Sequence, residues 1–421
     1  MAIQDLQSFK LTELSGGIKI ISEFIPRIES FCLGFRINIG ARDEQRAQSG
    51  ICHFIEHMLF KGTKKRSARK ISEDVESIGG YLNAYTSKES TCYYGRGLAN
   101  HIDKTFDVIA DMVQNPLFKE NHIKKESGVV LDELCDIEDN PEELIFDKFE
   151  ELIFKGNSLA FPIIGNEKTI TSFNHEILSN FHKAHYGQKS LLISAAGNVN
   201  HEHLVKLTEK YFQSVGKGKS KNRSLVDSVH NADRVVIKKE ISQVHSIIGR
   251  KSYGYTNPKR LTLNMLSNIL GEGSSSRLFQ AVRERNGITY QINSFVNSYQ
   301  DVSAFGVYFS TNEKNSDKAM AIIKKEFEKL RTDSVSNREL KRVKEYMKGS
   351  IILGLENTSS RMIRLADNMV NHGRFISVDE VVGRIDAITA DMILEIAHEV
   401  LDDSTLTQMV LFSKNATLIN A

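Results

Sequence analysis

The chain has 421 residues, 40% of them hydrophobic and 26% charged; these are globular values that exclude a disordered or fibrous protein, and the length suggests more than one domain. Its 55 basic and 53 acidic residues nearly cancel, which argues against nucleic-acid binding through phosphate neutralisation. No apolar run reaches the ~18 residues that cross a bilayer, the N-terminus lacks the layout of a secretory or transit peptide, and four cysteines without a Cys-x-x-Cys pair suit a reducing compartment; the expectation is a cytoplasmic, bacterial protein with no membrane or nucleic-acid partner.

Alternation predicts strands over 18–24 and 31–39. Residues 49–60, SGICHFIEHMLF, predict a helix opened by Ser49 and closed before Gly62. A second helix over 71–78 ends at Gly79-Gly80, and 81–96 predicts a hairpin. Helices follow over 101–114 and from 121 to about 155, the latter interrupted near Asn140-Pro141, and then a short buried strand over 191–197. Residues 214–234 are rich in Gly, Ser and Lys, aperiodic, and read as a linker. Beyond it the order restarts: a strand over 235–242, helices over 261–271 and 275–287, a strand over 288–296, long helices, and a last strand over 406–413. Asn83-Ala84-Tyr85 rhymes with Asn293-Ser294-Phe295 at an offset of about 210. A duplicated α+β unit fits, with halves at 1–213 and 235–421 around the 214–234 linker.

The helix over 49–60 carries His53, Glu56 and His57 among Ile51, Phe54, Ile55, Met58 and Leu59. With about 100° per residue, the three ionisable side chains fall within about 100° of arc. Two imidazoles one turn apart can grip one ion, with a carboxylate beside them able to reach water. Grouping three such groups on an apolar helix is costly unless something pairs with them. Zinc suits two imidazoles and a carboxylate with one position open. The order His-x-x-Glu-His is the inverse of the commoner zincin motif. A third protein ligand is needed, and Glu126 and Glu133, two turns apart on one predicted helix, both qualify.

The stretch His53–Thr63, HFIEHMLFKGT, resembles the metal helix of the pitrilysin-type (M16) zinc peptidases, the group of insulin-degrading enzyme and the mitochondrial processing peptidase. The blocks from Gly79 to Tyr94 and from Glu126 to Glu133 are similar to that family too, and the likeness runs through nearly the whole chain. It implies an α+β fold of two homologous halves, each a mostly antiparallel sheet covered by helices. It implies that His53, His57 and Glu133 hold one Zn2+ per chain, that Glu56 is the general base, and that Glu126 supports the metal helix from behind the ligands. In the second half, Arg283 and Tyr290 resemble the family pair that donates hydrogen bonds to the substrate backbone and the developing oxyanion.

Asn83 and Ala84 match family positions on an edge strand to which an extended peptide adds. Glu143 and Asp147 stand where the processing peptidase's catalytic subunit holds an Arg near the cut, which implies a preference for Arg. The resemblance further implies peptide substrates, a closed chamber and a homodimer. The alternative is a non-catalytic scaffold or peptide-binding subunit of the same fold. His182, His185, His201 and His203 are read as surface or capping residues.

Overall fold

The computed structural model describes residues 9–219, 223–227 and 232–413; the start of the N-terminus and parts of the expected linker lie outside the described residues. The chain divides into two units, Met1–Cys135 with Phe161–Arg223 and Gly354–Phe375, and Asp136–Ala160 with Ser224–Leu353 and Ile376–Ala421.

The first unit is built on a six-stranded sheet of β1 (Phe9–Glu13), β2 (Lys19–Phe24), β3 (Ser30–Ile37), β4 (Tyr81–Thr86), β5 (Thr91–Leu98) and β6 (Leu191–Gly197). Its spatial order is β1-β2-β6-β3-β5-β4. The second unit holds β7 (Arg234–Lys239), β8 (Val244–Tyr253), β9 (Gln291–Ser298), β10 (Val302–Thr311) and β11 (Thr407–Ser413), in the order β7-β11-β8-β10-β9. Matching β2 to β6 with β7 to β11 gives one and the same order. Each sheet has one parallel pair, at the matching place: β2 with β6 and β7 with β11. The duplication is thus written in topology, and the Asn83/Asn293 rhyme falls on the equivalent edge strands β4 and β9.

Both sheets are covered on two faces. The helices placed first along the chain are α1 (Ile51–Leu59), α2 (Ala68–Glu76), α3 (Ile102–Gln114), α4 (Glu120–Asp139) and α5 (Pro141–Ile153). In the first unit Phe106 of α3 meets Phe35 of β3 edge-on at 4.9 Å. The opposite face takes the helix Thr358–His372, whose Met362, Leu365, Ala366 and Met369 pack on Ile21, Cys32 and Leu192. Gly34 leaves the room for it, since a Cβ there would stand 2.5 Å from the Met362 sulfur. Arg36, nearly buried, pairs with Asp367 of that helix, and Arg361 pairs with Glu23. In the second unit the equivalent place is filled by α5, whose Leu144, Ile145, Phe149 and Ile153 pack against Ile247, Ala304, Tyr308, Met409 and Leu411.

The contiguous halves expected at 1–213 and 235–421 are therefore corrected. Each half of the sequence lends one helix to the other half's sheet: α5 covers the second sheet, and Thr358–His372 covers the first. The physical reason is that each sheet has a second apolar face that must leave water. The strands β8 and β10 escaped prediction for a related cause. β10 is buried at every position, so it shows no alternation. The other predicted elements lie within a few residues of expectation, while β1 and the helices Glu167–Ser172, His175–His185 and His201–Phe212 were not predicted. The helix expected over 275–287 is short and of π type, Phe279–Glu284, and the turn after it reaches Gly287 with φ +62°.

Phe149 is fully buried where α5 meets the second sheet. Phe149→Ala should lower stability by about 3–5 kcal/mol, read as an earlier urea transition of the second unit.

Candidate metal centre

The helix α1 begins at Gly50, whose φ of +92° is a left-handed conformation that glycine adopts without strain. Ser49, expected to open the helix, does not cap it; its buried hydroxyl has no partner among the described residues. Glu44 does so from six residues upstream of Gly50, accepting the N–H groups of Gly50 at 2.7 Å and Cys52 at 2.8 Å. Ile51, Phe54, Ile55 and Met58 bury one side of α1. His53, Glu56 and His57 occupy the other.

The helix α4 brings Glu126 and Glu133 to this face. The structure separates the two carboxylates that the sequence could not rank. Glu133 directs its oxygens at both histidines: Oε1 lies 3.6 Å from His53 Nε2, and Oε2 lies 3.6 Å from His57 Nε2. One ligand atom from each of His53, His57 and Glu133 falls within 4.8 Å of the others, and this is the one such group among the described residues. Two donors about 2.1 Å from a tetrahedral ion stand about 3.4 Å apart, so the three fit a zinc ion with little rearrangement. Glu126 faces elsewhere. Its Oε1 accepts a hydrogen bond from His57 Nδ1 at 2.9 Å and its Oε2 pairs with Lys61 Nζ at 2.8 Å.

The electrostatics favour a neutral ligand at His53 and a charged ring at His57, the proton of which a metal ion would displace. Burial, aided by the neighbouring His57, pushes the His53 pKa down to about 4, so its ring is neutral, the form that a metal needs. Burial also opposes charge on His57, but the bond to Glu126 and the charges of Glu133 and Glu56 outweigh it and raise its pKa. For Glu126 burial works upward, and His57 with Lys61 wins, lowering it. Glu56 is raised by burial, in spite of Thr86, whose hydroxyl donates to Glu56 Oε2.

Thr86 lies on β4, the free edge of the sheet. Ser87 N–H donates to Ser90 O, which fixes the phase of the hairpin ladder. In an antiparallel pair the hydrogen-bonded positions alternate, so Leu82, Ala84 and Thr86 direct their N–H and C=O groups away from β5 toward the open edge. In agreement, the Ala84 N–H is met by Asn83 Oδ1 at 2.8 Å, and Asn83 Nδ2 donates to the Tyr81 hydroxyl at 2.6 Å. Asn83 and Ala84 are thus at the edge next to the strand residue that holds Glu56.

The remaining expected residues lie in the second unit. The Arg283 guanidinium sits 4.7 Å from the Tyr290 ring centre and 4.8 Å from that of Phe279. Tyr290 is 78% exposed and precedes β9 instead of lying on it as expected, because the chain turns after the helix, through Gly287, and joins the ladder only at Gln291. On α5, Glu143 is exposed and accepts from Asn140 Nδ2 at 2.7 Å, and Asp147 lies one turn on, half-buried. Glu142 and Glu150 beside them are engaged by β9 and its following turn, through Gln291, Asn297 and Tyr299.

Sequence reasoning missed Glu44, Lys61 and Thr86. Neither Lys61, which lies just beyond the end of α1, nor Glu44 had a clear signal. Two histidines were misplaced at the surface. His182 is buried with Nε2 on Val113 O at 2.8 Å, and His201 is buried between Thr12 at 2.8 Å and Ser22 at 2.9 Å. Both are satisfied core residues. No helix among the described residues is long and apolar enough to cross a membrane.

Residues 19–167 match the family described as Insulinase (Peptidase family M16), and residues 172–347 match the one described as Peptidase M16 inactive domain. The uncharacterized zinc protease YmxG of Bacillus subtilis is 35% identical over 95% of this chain and 97% of its own. An uncharacterized zinc protease of Rickettsia felis is 33% identical over 96% and 98%. Among solved structures, a protease from Helicobacter pylori superposes with a TM-score of 0.89 at 23% identity, over 96% of this chain and 99% of its own.

Because Glu126 orients His57 through Nδ1, Glu126→Ala should weaken zinc binding by about 10- to 100-fold, read by competition with a chromophoric chelator.

Proposed function

The chain belongs to the insulinase family, peptidase family M16, and we propose that within it the chain is a zinc-dependent endopeptidase acting on extended peptides. The observation that carries this reading is the convergence of His53, His57 and Glu133, with Glu56 on the same helix tied to a free sheet edge. His53, His57 and Glu133 would hold one zinc ion per chain. When bound, zinc supplies Lewis acidity, which acidifies water and polarises a carbonyl.

The protein's own groups do the rest. Glu56 takes the proton of the attacking water and passes it to the leaving amine. Its raised pKa keeps it basic enough to accept a proton and acidic enough to return it. Thr86 holds one Glu56 oxygen and so fixes which way the carboxylate turns. Glu126 keeps the His57 proton on Nδ1 and frees Nε2. A peptide adds to β4 through the outward groups of Leu82, Ala84 and Thr86, displacing Asn83 Oδ1 from the Ala84 amide. Backbone pairing of this kind reads extended shape more than sequence. Arg283 and Tyr290 donate to the peptide backbone and the developing oxyanion.

Glu143 and Asp147 lie one helical turn apart on α5, a spacing that suits a guanidinium. They give the enzyme a preference for Arg near the cut. Cleavage takes place inside a closed chamber, and two copies of the chain pair as a homodimer.

The purified protein should contain about one zinc per chain, run as a dimer by light scattering, and cut an Arg-containing quenched peptide. Glu56→Gln should keep the zinc and lose at least about a hundredfold in kcat. A wild type that binds no zinc, or a variant that cuts as well, would remove this reading in favour of a scaffold subunit. Changing both Glu143 and Asp147 to Ala should erase the preference for Arg over Leu peptides; an unchanged cleavage map would refute that part alone.

A further inference from the structure

Five residues, Gly40 to Glu44, begin the approach from β3 to α1. They lie against the turn that joins β4 to β5. Ala41 N–H donates to Ser87 O at 3.2 Å, and Arg42 N–H donates to Lys88 O at 2.7 Å. The Arg42 guanidinium pairs with Glu89 at 2.8 Å. Gly40 approaches the turn so closely that a Cβ there would stand 2.3 Å from Ser87 O. Asp43 accepts from Arg223 through both oxygens, which closes the segment from its other side.

The same segment ends on the metal helix. Glu44 is 5% exposed, and both of its oxygens accept backbone N–H groups, those of Gly50 and Cys52. These are among the donors that the first turn of a helix leaves without an internal partner. Gly50 itself offers no side chain to cap them. The far side of the turn is closed backbone to backbone. A Cβ on Gly50 would meet Ile164 O at 2.5 Å, and one on Gly165 would meet Ser49 O at 2.5 Å. Burial pushes the Glu44 carboxyl up to about 8, against the pull of the two amides. With both oxygens accepting at the positive end of a helix, the ionised form is the one the geometry serves.

We propose that Glu44 is a positioning residue for the metal centre: it ties the first turn of α1 to the segment that also braces the β4–β5 turn, and so sets His53 and Glu56 in register with Thr86. The proposal rests on the zinc-peptidase reading above. Cys52 immediately precedes His53, so a slip of the first turn moves that ligand directly. Glu133 stands on α4 and does not follow. A site of this kind tolerates only about 0.5 Å of misplacement.

The test is Glu44→Gln, which keeps the shape but turns an amide N–H toward a backbone N–H. Zinc affinity is measured by chelator competition, kcat and KM with the quenched peptide, and folding by thermal unfolding of the metal-free protein. Asn200→Ala is the control for simple loss of a cap in the same unit, since Asn200 Oδ1 accepts His203 N–H at 2.9 Å at the start of another helix. Glu44→Gln should weaken zinc at least tenfold and lower kcat more than it changes KM, at a temperature where the protein is fully folded. Asn200→Ala should lower the melting temperature with zinc affinity unchanged. Glu44→Gln matching Asn200→Ala, with zinc affinity and kcat within twofold of wild type, overturns the proposal. Should Glu44→Gln fail to fold, Glu44→Asp decides by the same readouts, because its shorter carboxylate reaches only one of the two amides. Failure of the functional reading is separable, since it shows in the wild type as absence of zinc or of turnover.

Discussion

An imidazole that lends one ring nitrogen to a metal is best oriented through its other nitrogen, and the partner of His57 organises much of the centre of this protein. That partner is Glu126, buried on α4 and balanced by Lys61. Putting Glu126 there fixes the rotation of α4, and a helix that shows Glu126 also shows Glu133 two turns later. The third ligand is thus a consequence of the support for the second. His53 is held differently. Its Nδ1 is buried and has no partner among the described residues, so its ring depends on the placement of the α1 backbone. This contrast gives the anchoring of α1 its weight: one histidine is oriented by a side chain, the other by the helix that carries it.

The exchange of helices bears on how such a centre is kept rigid. α4 begins in the first unit and ends in the second, its last residues falling beyond Cys135. The helix Asn337–Gly354 makes the reverse passage. Glu133 therefore stands near the end of the first unit's share of a helix whose continuation, α5, is buried against another sheet.

The readable parts of this fold were those with a local cause. The metal motif was legible because three ionisable groups on an apolar helix are costly without a shared partner and the stretch resembles a known metal helix, and the hairpin because Gly79-Gly80 punctuates it. Asn140-Pro141 marked the break between α4 and α5 because Asn caps and Pro opens a helix. What stayed hidden was non-local. Nothing in the sequence says that 136–160 belongs with the second sheet, since an amphipathic helix shows that it has an apolar face and not which sheet the face will meet. The role of Glu44 was hidden likewise, because Ser49 beside the helix was the ordinary cap. β8 and β10 lost their alternation to burial on both faces. His182 and His201 misled because a satisfied core histidine and a surface one look alike without their partners.

The duplication permits a comparison inside one chain. In the first unit, the helix after β3 meets the edge strand through Glu56 and Thr86, a carboxylate held by a hydroxyl. In the second unit the same junction lies between the helix Arg260–Gly271 and β9. There Ser267 and Ser294 bond to each other at 2.9 Å, and Ser294 also donates to Ser267 O at 2.6 Å. Both serines are buried. Gly271 presses so close that a Cβ would stand 2.4 Å from Ser294 N. A junction sealed at backbone distance leaves no volume for an ion, a water and a carbonyl. Placing histidines on the second helix would therefore not create a centre. Its strand and helix close over the space, and the candidate metal ligands stand in the unit whose helix and edge strand meet through Glu56 and Thr86 instead.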